Sequence, residues 1–508
     1  MKHLIICREY PPAPGGGIGT YVSLMARLLA QSGETVHVIG QLWAGATKEI
    51  EESLGGHLIV HRIPYLDWTS FFWSKPYRTM RSKEARRLFY SKFPPQCFSW
   101  LACLLAERLV EQEGIDTIEA QDYEAPLYYL QVRRVLGVGP TRQPPCIVHL
   151  HSPTHYIARS NEWDMSSPAV IVAKELEDYS ITSADALLCP SRYLANQVEI
   201  QYGLSPNSIA NIPYPTAEEP IIERNSRTWQ NGTICYVGRL ERRKGVIEWI
   251  DAATAVAEDY PKAQFEFIGA DTVDPDNMSC EELVRERIPK RMKRRFRFRG
   301  NCRHSILRRY LTKARMAVVP SRWENFPNTC IEAMSSGLPI IASREGGMVE
   351  MLQDGQTGWL AKEPGCEGLA EALQRALRTP ADKLSVMGRT ASKHIRELCD
   401  NKQIVDRQLR LRREVVERGS TLHLSNSARL WEDSKVRYFS TAGAQPISGQ
   451  ERWTRKQCTL ELGTGMTTLE SQFKLLRKLA RHPGKNALMI ANTLKSKILW
   501  SSRFWLGC

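Results

Sequence analysis

The sequence predicts an α/β protein of two lobes, each a parallel sheet covered by helices, with a helical extension at the carboxyl end. Three observations carry that reading. Strand-like runs alternate with helical stretches at 4–7, 36–39, 147–150, 186–189, 233–237 and 265–268, and strands that alternate with helices are joined by crossovers, which makes neighbours parallel. The chain has 508 residues, 42% of them hydrophobic, which is too long for one core and ample for two. Turn residues cluster where one lobe should end, at Pro213, Tyr214 and Pro215 and the polar stretch 218–230.

Taken in order, residues 1–212 form the first lobe, 213–231 a linker and 232–400 the second lobe, whose later turns fall at Asp354-Gly355 and Thr357-Gly358. A strongly charged helical stretch follows over 401–418, and 419–508 form the extension. The extension opens on a Ser/Thr-rich connector and holds two helical candidates, 469–480 and 487–503. The second places Leu488, Ala491, Leu494, Ile498 and Trp505 along one side with Lys495, Lys497 and Arg503 nearby. That pattern suits packing on the protein's own surface or docking at a membrane interface.

Composition narrows the function classes. With 69 basic against 55 acidic residues the formal charge is +14, which favours anionic partners: nucleotide phosphates, acidic lipid surfaces or nucleic acid. No helix-turn-helix, RNP or zinc-finger pattern is present, so nucleic acid is not an expected partner. Thirteen cysteines without C-x-x-C spacing indicate reduced thiols rather than a disulfide framework or a zinc site. The amino terminus enters its first strand without a leader pattern, and no run of about 18 apolar residues occurs. A cytoplasmic protein, in peripheral contact with anionic membrane at most, is expected.

The densest chemical signal is the segment from Trp323 to Pro339, which follows the strand-like run 316–320. It carries Glu324 and Glu332, with Asn325, Phe326, Pro327, Asn328 and Thr329 between them. A buried strand running into a turn and a helix places such residues at the carboxyl edge of a parallel sheet, where open α/β folds bind ligands. A carboxylate can accept from two adjacent sugar hydroxyls, and the first helical N–H groups can take a phosphate. Sugar and phosphate together suggest a nucleotide-sugar, with Asn325, Phe326, Asn328 and Thr329 lining the donor.

Other strand ends add to the set. Gly15, Gly16, Gly17 and Gly19 lie between the first strand and a helix, where the lack of Cβ atoms lets backbone N–H groups approach an anion. The loop Gly238-Arg239-Leu240-Glu241-Arg242-Arg243-Lys244-Gly245 offers two cations, Arg239 and Lys244, that can meet a diphosphate from two sides, while Arg242 and Arg243 read as a solvated basic turn. His151 closes the strand 147–150, with His149 on the strand itself, and Ser191 ends a similar turn. Ser343, Gly346, Gly347 and Glu350 form one more strand-to-helix turn. Lys290 to Arg295 is the densest basic run and reads as a solvated helix face, and aromatic and basic residues interleave over 71–90.

The Glu324–Pro339 segment resembles the paired-glutamate signature of retaining glycosyltransferases of family 4, E-x-F-(G/P)-x-x-x-x-E-A-x-(A/S)-x-G-x-P, at every fixed position. The glycine loop, His151 and the Arg239/Lys244 loop resemble the remaining elements of that family and stand in its order over about 1–400. The resemblance implies the GT-B architecture, two facing Rossmann-like domains with 401–418 crossing back as a brace. It implies transfer of a hexosyl group from a nucleoside diphosphate sugar to a glycan or lipid-linked hydroxyl acceptor with retention, without a required metal or cofactor. Glu332 would hold the ribose, Glu324 the transferred sugar, Arg239 and Lys244 the departing diphosphate, His151 the sugar near its reacting carbon, Gly16 and Gly17 the diphosphate and acceptor, and Arg299 and Gly300 the base. Pro327 replaces the more frequent glycine and removes one N–H from the donor's reach. A nucleotide-sugar epimerase and a non-catalytic scaffold on the same fold are the alternatives, and cell-surface glycan synthesis is the expected setting.

Overall fold

A computed structural model describes residues 1–13, 16–43, 46, 48–64, 83–135 and 138–420. The helical candidates beyond 420, and the interleaved stretch up to residue 82, lie outside the described residues; the rest of that stretch begins the helix Lys83–Phe89.

The first sheet has eight strands: β1 (Lys2–Ile6), β2 (Thr35–Leu42), β3 (Ile50–Ser53), β4 (Leu58–Pro64), β5 (Thr117–Gln121), β6 (Cys146–His149), β7 (Ala186–Cys189) and β8 (Ala210–Asn211), in the order β3-β4-β2-β1-β5-β6-β7-β8. Leu4, Ile5 and Ile6 are covered on both faces, as a continuous apolar run in a parallel sheet must be. The edge strand β3 departs from the expected all-parallel sheet and pairs antiparallel to β4. The tight turn through Gly55 and Gly56, both at positive φ, leaves no room for the crossover that a parallel pair needs. The second sheet, β9 (Thr233–Val237), β10 (Phe265–Ile268), β11 (Phe296–Phe298), β12 (Ala314–Val319), β13 (Ile340–Ala342) and β14 (Gly358–Leu360), runs β11-β10-β9-β12-β13-β14 and is parallel throughout.

Both sheets reverse their winding once, between β1 and β5 in the first and between β9 and β12 in the second. Such switch points open a crevice at the carboxyl ends of the strands. The glycine loop follows β1, the Arg239/Lys244 loop follows β9 and Glu324 follows β12, so the chemistry read from sequence sits at these crevices.

Residues 213–231, read as a linker, are not uniformly extended. Asn225 caps the helix Ser226–Asn231, and Trp229 buries against the second lobe beside Gly388 of the helix Ala381–Leu398. The helix Asn401–Arg418, started by Asp400 accepting from the Gln403 N–H at 2.8 Å, returns to the first lobe. There Gln408 donates to the Tyr21 hydroxyl at 3.1 Å, Arg418 to the Asp185 carbonyl at 2.8 Å, and the fully buried Arg412 pairs with Glu119 of β5. One apolar cluster therefore joins Tyr21 and Met25 of the first lobe to Phe326 and Met348 of the second and to Leu409 and Val415 of the crossing helix.

Candidate active site between the lobes

The carboxyl edges of the two sheets face each other, as the hydrogen bonds across the junction show. Asn325, after β12, donates through Nδ2 to the carbonyls of Leu150 and His151, after β6, at 3.0 and 2.9 Å, while its Oδ1 accepts from Ser191, after β7. Asn328 donates to the Gly17 carbonyl at 3.0 Å. The Arg243 N–H donates to Asn161 at 2.8 Å. Glu350 accepts from the N–H groups of Arg192 and Tyr193 at 2.8 and 2.6 Å, capping the start of the helix Arg192–Tyr202. Most of these residues stand in the turns or first helical turns after strand ends, so both carboxyl edges wall the cleft between the lobes.

The second-lobe wall is a buried charge cluster. Glu324 is 7% exposed and its Oε1 pairs with Lys244 and, at 3.1 Å, with Arg243. Glu241 pairs with Arg243 at 2.8 Å and Arg239 at 3.3 Å. Burial pushes the Glu324 carboxyl up, but Lys244 and Arg243 outweigh it and hold it below the ordinary carboxylate range; Glu241 is lowered in the same way against its own burial. Burial draws the Lys244 ammonium down against the pull of Glu324. Three cations thus serve two acids. The side chains of Arg239 and Lys244 keep 33% and 18% exposure, so both can reach a ligand; that of Arg243, at 6%, cannot.

Arg242 and Arg243 are therefore not the solvated turn that a local run of cations suggests. Arg243 is buried for the reason just given, and Arg242 spans to Glu162 of the first lobe at 2.8 Å and to Asp274 at 3.1 Å. Glu162 also takes Arg322, which is anchored by Glu248 at 2.6 Å.

Asn325 and Phe326, expected to line a donor, turn into the lobe junction. Asn325 is 2% exposed and bonded as described, and Phe326 packs against Tyr214 with ring centres 5.5 Å apart. Beyond them Pro327 caps the helix Asn328–Ser335, whose first N–H groups, those of Asn328 and Thr329, precede the first bonded amides at Cys330 and Ile331. Glu332 stands one turn further in, half-buried. Across the cleft Gly16 and Gly17 start the helix Gly17–Gln31; a Cβ at Gly16 would come within 2.3 Å of Glu9 Oε2, so a larger residue there would have to displace the Glu9 carboxylate. Gly346 and Gly347 back Glu324 and Asn325 so closely that a Cβ on either would come within 1.9 Å of their carbonyl oxygens. Ser343 donates to the Ser321 carbonyl at 2.5 Å. Arg299 pairs with Glu266 at 2.6 Å and lies over Tyr310, and Gly300, at φ 64°, faces open space.

The first-lobe wall is desolvated. His151, 3% exposed, contacts the Tyr214 hydroxyl through Nδ1 and lies 4.1 Å from the His149 ring, centre to centre. Burial, with His149 adding to it, holds its pKa well below the usual imidazole value, so it is uncharged at neutral pH. Asp122 accepts from the N–H groups of Tyr123, His151 and Ser152 at 2.8, 2.9 and 3.1 Å, yet burial pushes its pKa up to about 6. Glu177, which takes the N–H groups of Glu124 and Thr154 at 3.0 and 2.8 Å, is pushed well above the carboxylate range by burial. An uncharged imidazole at this wall can exchange hydrogen bonds with a sugar or acceptor hydroxyl.

Sequence reasoning missed Glu241, Arg243, Asn161, Glu162 and Tyr214. A cation and an acid two residues apart on a glycine-flanked loop, Glu241 and Arg243, were the one local sign; the others meet the site only through the fold.

Comparison with known proteins agrees with this geometry. Residues 15–216 match the family described as Glycosyltransferase Family 4, and residues 219–394 match Glycosyl transferases group 1. A glycogen synthase of Mycobacterium tuberculosis is 24% identical over 388 residues, covering 75% of this chain and 87% of its own length. A D-inositol 3-phosphate glycosyltransferase of Nocardiopsis dassonvillei is 23% identical, covering 72% and 82%. Among solved structures, sucrose-phosphate synthase from Thermosynechococcus elongatus superposes with a TM-score of 0.62 at 20% identity over 82% of this chain and 100% of its own, and the Anabaena protein HepE, in complex with UDP and glucose, with 0.56 at 17% over 81% and 99%. These likenesses establish the GT-B fold. The chain belongs to the group 1 glycosyltransferases of family 4 and is a nucleotide-sugar-dependent glycosyltransferase.

Proposed function

We propose that the enzyme transfers a hexosyl group from a nucleoside diphosphate sugar to a hydroxyl of a glycan or lipid-linked acceptor with retention at the anomeric carbon, in the cytoplasm and without a required metal or cofactor, as a step in cell-surface glycan synthesis. The observation that carries this reading is the three-cation, two-acid cluster around Glu324. A diphosphate entering the cleft draws Arg239 and Lys244 towards its oxygens, beside the N–H groups of Asn328 and Thr329. Arg243 stays behind, bonded to both Glu241 and Glu324, so neither acid is left buried and unpaired. Glu324 is then released from Lys244 and turns its second oxygen to the sugar hydroxyls, while Glu332 takes those of the ribose.

The bond from the anomeric carbon to the phosphate oxygen breaks as the acceptor oxygen forms a bond on the same face. The acceptor's proton passes to the departing diphosphate, whose charge Arg239 and Lys244 stabilise. His151, uncharged, orients a hydroxyl beside that carbon, and closure of the lobes excludes water.

A thermal-shift panel of nucleotide-sugars tests donor binding, because a ligand that binds only the folded chain raises the melting temperature by mass action. UDP-glucose is the first donor to try, on the strength of the HepE complex. Transfer to a sugar acceptor should release diphosphate and give a product with the donor's own anomeric configuration by NMR. Interconversion of free nucleotide-sugars without acceptor would instead show an epimerase, and binding without diphosphate release a scaffold.

A further inference from the structure

We propose that the outer edge of the second lobe is a docking face for an anionic lipid bilayer. Between Glu286 and Glu324 the chain has no acidic residue and 14 lysines and arginines. This run builds the 3-10 helix Lys290–Arg295, the strand β11 and the helix His304–Thr312. Because β11 is the outermost strand of its sheet, the three wrap one edge of the lobe.

Four acids near that edge are engaged by other members of the run. Asp251 holds Arg287 at 2.8 Å, Glu266 holds Arg299 at 2.6 Å, and Glu258 and Glu219 hold Arg291 and Arg308. Arg295 turns inward to the carbonyls of Ala257 and Ala263 at 2.7 and 3.0 Å. Lys290, Lys293 and Arg294 on the 3-10 helix and Arg297 on the edge strand remain exposed, as do Arg303, Arg309 and Lys313 around the following helix. None of these has an ion pair among the described residues.

Unneutralised cations concentrated on one edge attract a polyanion, and the rings of the run decide which kind. Phe296 is buried, Phe298 lies beneath Arg285 at 4.2 Å, and Tyr310 lies beneath Arg299 at 5.2 Å. Among the described side chains of the run, no ring is open for the base stacking on which single-stranded nucleic-acid sites depend. The helix His304–Thr312 turns Leu307, Tyr310 and Leu311 onto the core rather than standing out as a groove reader. Long, flexible cations without a protruding apolar ring fit a plane of phosphodiester headgroups, held by charge without insertion. Since β11 ends at Phe298, beside Arg299 and Gly300, docking along this edge would set the mouth of the cleft near the bilayer. The face is independent of the transfer chemistry and goes beyond it.

The test is flotation of the full chain with phosphatidylcholine vesicles, with and without about 30% phosphatidylglycerol. Binding is expected to the anionic vesicles alone and to weaken at least roughly tenfold when salt rises from about 0.1 M to about 0.5 M. Two separate triple variants, Lys293→Glu/Arg294→Glu/Arg297→Glu and Arg303→Gln/Arg309→Gln/Lys313→Gln, should each weaken it about tenfold or more, with the melting temperature and the donor-induced thermal shift kept. Equal binding to neutral vesicles, no binding to either, or wild-type binding by both variants overturns the proposal. Complete displacement of the vesicles by single-stranded DNA at equal phosphate concentration also overturns it, in favour of a nucleic-acid face.

Discussion

The two walls of the cleft bury carboxylates at similar depth and treat them in opposite ways. On the second-lobe wall Glu324 is surrounded by Lys244 and Arg243 and stays ionised below the ordinary range. On the first-lobe wall Asp122 has only backbone N–H groups and is pushed to about 6, and the neighbouring His151 is held neutral. Burial is the largest influence on both acids; what differs is whether full positive charges stand within reach. One wall is therefore equipped to meet a charged diphosphate, and the other to meet a hydroxyl. The same contrast gives Arg243 its place, since it is bonded to both Glu241 and Glu324 and keeps their buried charges matched.

The contrast can be broken most directly at Lys244. Lys244→Ala should lower kcat roughly 10²–10³-fold, the usual loss when one donor to a developing oxyanion is removed, with the Michaelis constant for donor changed far less. A wild-type rate in steady-state assays would remove Lys244 from the site. Next in size, Arg243→Met should lower kcat about 10- to 100-fold, because Arg239 and Lys244 must then stay with Glu241 and Glu324, and Arg243→Lys should recover part of it. An acid limb of the pH–rate profile that moves to higher pH in Arg243→Met would identify the charge effect, since a merely structural defect leaves the limb in place. Glu332→Ala should weaken donor binding about tenfold, the worth of one charged hydrogen bond, with kcat at saturating donor changed little; isothermal titration with UDP and with the sugar nucleotide reads it out.

The smallest effect sharpens the other wall. Asp122 has a folded-state pKa raised above the unfolded value of about 4, so the native state binds more protons than the unfolded state between about 4 and about 6. Its contribution is unfavourable above that window and is relieved as pH falls through it. Unfolding free energies of wild type from urea titration should accordingly gain on those of Asp122→Asn by roughly 1 kcal/mol between pH 7 and pH 5. Glu324 has the opposite sign: its pKa is depressed, so its stabilisation is present above the unfolded value and is lost as pH falls through the folded one. A Glu324→Gln comparison should diverge only at the acid end. Parallel curves for the two variants would show that the walls do not differ.

Much of this was legible in the chain because it is local. Strands buried on both faces announce themselves as apolar runs, and Glu324, Glu332, Arg239, Lys244 and His151 stand at fixed distances from such runs. Arg243 was misread because its neighbours Arg242 and Lys244 make a charged tripeptide look solvated, while one of its two acids lies 81 residues away. Asn325 was read as a ligand group because its position in the motif is indistinguishable from one; only the fold shows its amide bonded to Leu150, His151 and Ser191. The antiparallel β3 was missed because a four-residue strand with an exposed side has too weak a pattern to register.

Arg412 sits fully buried against Glu119 and arrives from the helix that ends the second lobe. A ribosome therefore releases the first lobe's sheet long before the guanidinium that its interior acid requires has been synthesised. The lobe translated first is the one completed last, and any fragment that stops short of that helix leaves Glu119 without its guanidinium, held by His149 at 3.3 Å.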